Sequence, residues 1–78
     1  MEIYISNHAR ERMDKYKIQE NVVKTTLEKP DRIDIGQFGR MVAQKALNGY
    51  TLRVIYEENN SLKTVITVYR AKSGRYEV

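Results

Sequence analysis

The sequence predicts an α+β domain in the order β-α-α-β-β-β-β, with both helices packed on one face of a mostly antiparallel sheet. Three observations carry that expectation. Apolar residues between positions 9 and 27 follow the helical repeat, with Ala9, Met13 and Tyr16 on one stripe and Ile18, Val22, Val23 and Leu27 on another. From Arg32 onward the repeat changes to every second residue, as in strands. Each helix has a single apolar stripe, and the sheet is the partner available to bury both.

The elements follow in order. Glu2 to Ile5 alternates polar and apolar residues with β-branched and aromatic content, which suits a first strand. Ser6 or Asn7 offers an N-cap oxygen for the first helix, on which Arg10 with Asp14 and Glu11 with Lys15 stand four apart with opposite charge. Ile18 and Val23 are placed to staple a second helix that starts near Gln19, and Pro30 closes it. Strands are expected at about 32–37, 40–47, 50–58 and 62–71, broken at Gly36, Gly39, Asn48-Gly49 and Asn59-Asn60.

Composition bounds the function. At 78 residues the chain is expected to be one domain, 1–78, and a domain of that size buries only about 60% of the surface its unfolded chain exposes. With no cysteine, a disulfide framework and a thiolate metal site are excluded, and no motif calls for a cofactor or a metal. No apolar run approaches the roughly 18 residues of a membrane span, and residues 1–8 lack a signal-peptide pattern, so a cytoplasmic protein with no membrane partner is expected. Fourteen Lys and Arg against ten Asp and Glu give a net charge of +4, compatible with a nucleic acid or an acidic protein partner.

The turns locate that charge. If Asn48-Gly49 and Asn59-Asn60 each form a two-residue hairpin loop, Arg53 lies opposite Gln44 on one neighbour and Ile66 on the other. Arg40, Val42, Gln44, Arg53, Ile55, Ile66, Val68 and Arg70 then share one face, and Met41, Ala43, Leu52, Val54, Tyr56, Val65 and Tyr69 the other. The second set is larger and more aromatic, so it is expected to receive the helices. That leaves an open face with arginines on three adjacent strands. Tyr4, Tyr16, Tyr50, Tyr56 and Tyr69 are assigned to sheet propensity and core packing, and His8, Arg12 and Lys15 to a solvated helical side, with contact to RNA or a partner as the alternative for that side.

"NGYTLRVIYEE", followed by "VITVYR" and then "RY" after a short basic stretch, resembles the C-terminal half of the RelE/ParE superfamily of small toxins from toxin–antitoxin pairs. "NHARERM", "ENVVKTTLEKPD" and the later "GR" resemble a domain-of-unknown-function group that shares this fold with BrnT-like toxins. The resemblance implies a RelE-like fold and a metal-free endoribonuclease acting on messenger RNA, on the ribosome in RelE-like members, and held in check by an antitoxin protein. It places the family's two arginines and its tyrosine on Arg53, Arg70 and Tyr76.

Attack by a ribose 2′-hydroxyl needs a proton acceptor, cations for the charge that builds on the phosphoryl oxygens, and an acid near the leaving oxygen. Arg53 and Arg70 are the expected cations, because a guanidinium fork engages two phosphate oxygens and stays protonated. Tyr76 is suited to stack on or orient a base and to assist proton transfer, and His8 has the one side chain whose ordinary pKa, about 6.5, fits proton shuttling near neutrality. Arg40, Lys45, Lys72 and Arg75 are the further candidates for RNA binding. The chain departs from the family where efficient nucleases carry lysines on the strand before the first arginine, having Gln44 and Ala46 there. Lys45 is expected on the opposite face unless a bulge redirects it, and Arg40 either supplies the missing charge or pairs with Glu57. The alternative reading is a non-catalytic binding module of the same fold, inhibiting a protein target or holding RNA without cutting it.

Overall fold

The computed structural model of the chain describes residues 2–72. Its element order is the expected one: β1 (Glu2–Ile5), α1 (Asn7–Tyr16), α2 (Glu20–Glu28), β2 (Arg32–Ile35), β3 (Met41–Leu47), β4 (Tyr50–Asn59) and β5 (Leu62–Lys72), with a 3-10 turn at Gln37–Gly39. Among the described residues no helix is long and apolar enough to cross a membrane.

Ser6 is the cap that starts α1. Its backbone is extended, and its hydroxyl accepts from the Ala9 amide at 3.1 Å while donating to the Ile66 carbonyl at 3.0 Å. One side chain thus fixes both the helix start and its seat against the last strand. Lys17 ends the helix in the left-handed region (φ 59°), and the Ile18 amide turns back to the Met13 carbonyl at 2.8 Å. Ile18 is buried in the same core cluster as Val23, in keeping with the expected staple, and α2 begins after Gln19.

The charge pairs within α1 are a correction. Arg10 reaches Glu20 of α2 at 3.1 Å rather than Asp14, and Glu20 is held also by Lys24 at 3.1 Å. No ion pair joins Glu11 to Lys15 among the described residues. A carboxylate shared between helices gains two cations where an intrahelical pair offers one. Hydrogen bonds from Lys24, then Arg10, hold the Glu20 carboxyl below its ordinary pKa. A lowered value means that this interaction is fully present above the unfolded-state pKa and is lost as pH falls through the folded one. We expect the Glu20 carboxyl carbon, followed by NMR, to titrate below an ordinary glutamate and to move back in Lys24→Ala; an unchanged midpoint in that variant would remove the pairing from the account.

The five strands form one sheet in the order β1-β5-β4-β3-β2, antiparallel throughout except for β1, which runs parallel to β5. Ala9, Met13, Ile18, Val23 and Leu27 from the helices bury against Ala43, Leu52, Val54, Tyr56, Val65 and Val68 from one sheet face. Among the described residues the other face carries no helix. Asn48-Gly49 closes the β3–β4 hairpin with Leu47 opposite Tyr50 and Gly49 at φ 89°, which places Gln44 opposite Arg53 as expected.

The β4–β5 pairing overturns the expected faces, in two steps. The loop is Asn60-Ser61 rather than Asn59-Asn60, with Asn59 opposite Leu62 and Asn60 at φ 57°. This moves every β5 partner by two positions and leaves the faces unchanged. Then Tyr56 pairs with Val65 but Ile55 with Thr67, so Ile66 is an extra, bulged residue. Beyond it every residue of β5 changes side. Arg53 lies opposite Tyr69 rather than Ile66, and Arg70 opposite Leu52. Val68 and Arg70 therefore belong to the helical side, and Tyr69 to the open one. The cause is packing: Val65 and Val68 are both fully buried under the helices, yet residues three apart in a regular strand point to opposite faces. The extra residue lets both enter the core.

Candidate nucleic-acid interface

Arg53 stands at the middle of the open face. β4 presents it between Gln44 of β3 and Tyr69 of β5, its Nη1 donating to Gln44 Oε1 at 3.4 Å and its guanidinium carbon 5.5 Å from the centre of the Tyr69 ring. Gln44 is only 2% exposed and donates through Nε2 to Asp34 Oδ2 at 2.6 Å, while Asp34 Oδ1 accepts from Arg32 Nε at 2.8 Å. A relay of polar side chains thus runs across β4, β3 and β2 and holds the guanidinium in one place. Gln44 sits where the resemblance would call for lysine. Its amide serves as both donor and acceptor in the relay, which an ammonium cannot do.

Arg53 opens into a cleft of about 490 Å³ lined also by Phe38, Arg40, Val42, Thr67 and Tyr69. Phe38 belongs to the Gln37–Gly39 turn, has φ 59° and is 88% exposed. A bulky residue in the left-handed region, with its ring in water, is unfavourable on both counts. Arg40 borders the same cleft and pairs with Glu57, its Nε 3.3 Å from Oε2, so the ion pair and a place on the cleft wall are both realised. The arrangement offers cations for phosphate and aromatic faces for unstacked bases in one concavity.

The other candidates are dispersed. Arg70 is exposed on the helical side, its guanidinium carbon 5.3 Å from the Tyr50 ring centre and 5.9 Å from that of Tyr16. The expected convergence of Arg53 and Arg70 is therefore incorrect, because the bulge at Ile66 puts the sheet between them. His8 is exposed on α1, in the layer that packs on the face away from Arg53. Lys45 points to the helical side, as counting predicts, and its ammonium donates to the Lys29 carbonyl at the end of α2 at 2.9 Å. Lys72 pairs with Tyr50 and shares the side of Arg70. Arg75 and Tyr76 lie outside the described residues.

Tyr69, Phe38 and Asp34 join the site without having been expected there. Tyr69 was hidden by the register, and Asp34 belongs to a strand whose register no turn signal fixed. Phe38 had a signal: a lone aromatic between glycines in "GQFG" has no apolar neighbours with which to share a core.

A family model described as a domain of unknown function, DUF4258, matches residues 5–70, from the end of β1 to the far end of β5. The chain belongs to the DUF4258 family. No curated protein and no solved structure matches it. The matched span of this DUF4258 domain contains Phe38, Arg40, Gln44, Arg53 and Tyr69, so the family model covers the described lining of the open-face cleft.

Proposed function

We propose that this domain binds single-stranded RNA on its open sheet face without cutting it, as a non-catalytic module of the RelE/ParE type. The observation that carries the reading is the position of Arg53: set between Gln44 and Tyr69, in the lining of a cleft that also holds Arg40 and an exposed Phe38. A single strand fits such a site because its bases are free to stack on rings while the phosphates meet guanidinium groups. Cleavage is the weaker reading of the same surface. It calls for Arg53, Arg70 and a proton acceptor around one phosphate, and the sheet separates Arg53 from both Arg70 and His8. A small antitoxin is the protein partner that the resemblance implies, and it would compete for this face.

Fluorescence anisotropy with a labelled RNA dodecamer tests the proposal, with gel analysis of the same RNA. We expect binding that weakens at least tenfold in Arg53→Ala, in line with about 1.5–3 kcal/mol for a charge-assisted contact, and RNA that stays intact. Absence of binding, or equal affinity of the variant, would overturn it. Cleavage that disappears in Arg53→Ala and Arg70→Ala alike would instead reinstate the nuclease.

A further inference from the structure

Arg70 and its neighbours make a second basic surface, on the helical side, that the open-face site does not use. Tyr16 is its hub. The ring has Arg70 over it at 5.9 Å and Lys15 at 5.5 Å, and its hydroxyl accepts from Arg12 Nη1 at 3.2 Å. Tyr50 lies against Arg70 as well, at 5.3 Å, and Lys72 ends the same strand. Arg12, Lys15, Arg70 and Lys72 form no ion pair with any carboxylate among the described residues, although elsewhere Arg10, Lys24, Arg32 and Arg40 all do. Cations gathered around one ring without an ion-pair partner repel one another, which offsets part of what their ring contacts contribute. An anionic ligand removes that repulsion. Two tyrosine rings also restrict the Arg70 side chain, so its fork is partly ordered before anything binds.

The topology links this surface to the open face. β1 pairs with β5 only from Leu62 to Val65, so beyond Val65 no described strand lies on the outer edge of β5. Tyr69 and Arg70 are consecutive on that segment and project to opposite sides of the sheet. A flexible chain that stacks near Tyr69 therefore meets Arg70 by passing around the edge.

We propose that Arg70, held by Tyr16 and Tyr50 and supported by Arg12, is a second phosphodiester site, engaged by a single RNA strand that leaves the open cleft and rounds the outer edge of β5. The inference rests on the RNA-binding reading and adds a second face to it. Strand length is the variable that separates the two sites. A tetranucleotide occupies the cleft alone, and a dodecamer is long enough to reach both.

Anisotropy titrations of oligouridylate 4-mers and 12-mers across salt concentrations test this with wild type, Arg53→Ala, Arg70→Gln and Arg70→Lys. We expect Arg53→Ala to weaken both lengths. Arg70→Gln should weaken the 12-mer about five- to tenfold, leave the 4-mer unchanged, and reduce the 12-mer's log–log salt slope by about 0.7 for each phosphate that is no longer neutralised. Arg70→Lys should keep most of that slope, since it keeps the charge. Melting curves of each variant are the control for folding, and a lowered melting temperature with an unaltered salt slope would mean a packing role only and overturn the second site. So would equal effects of Arg70→Gln on both lengths, or no effect on the 12-mer. If the 4-mer ignores Arg53→Ala, it is the open-face reading that fails.

Discussion

Tyr56→Ala is expected to destabilise the domain more than any other substitution proposed for it. The ring is 2% exposed on β4, opposite Val65 and beneath the helices, and it is among the largest fully buried side chains. Truncating a buried aromatic residue costs about 3–5 kcal/mol, through the transfer energy forgone and the cavity left behind. A domain of this length has a total stability of roughly 4–12 kcal/mol, so about a quarter to all of the margin is consumed. With a shift of about 4–8 °C per kcal/mol for small domains, the thermal transition should drop by well over ten degrees. Tyr56→Phe is the control. It keeps the ring, its packing and the Lys63 ammonium 5.1 Å from its centre, and should melt close to wild type. A Tyr56→Ala variant that melts like wild type in circular dichroism would mean that the sheet–helix interface is packed differently.

Gln44→Leu should have the second-largest effect, and on two readouts. The substitution preserves volume and removes the bonds to Asp34 and Arg53. Because Asp34 and Arg53 are charged, a loss of about 1–3 kcal/mol in stability is expected despite the gain in apolarity. RNA affinity should fall as well, although Gln44 is too buried to touch a ligand, because Arg53 is no longer held in the lining of the cleft. Stability lowered with full affinity retained would show that the relay supports the fold and does not position Arg53.

Most of the architecture was legible because its signals are local. Ser6 and Gln19 begin helices for reasons found within four residues of each, and the Asn48-Gly49 turn fixed the β3–β4 register outright. The site was legible in part. Arg53, Arg40 and Gln44 were placed on the correct face by counting from that turn. Arg70 and Tyr69 were not, because a bulge leaves no residue-level mark at Ile66. Its cause is the shared demand of Val65 and Val68 for one core, which emerges only once the helices are in place. Phe38 shows the opposite case: the glycines beside it announced a turn, and the exposure of its ring goes with there being no layer above it among the described residues.

The parallel pairing of β1 with β5 has a consequence for biosynthesis. Glu2 is matched to Leu62, so the first of these strands to leave the ribosome finds its sheet neighbour in the last of them to be translated. Until then the nascent chain can zip together the meander from Arg32 onward as it appears, while its leading segment waits. Ser6, which bonds the Ala9 amide on one side and the Ile66 carbonyl on the other, acts as the clasp that shuts when the two ends finally meet.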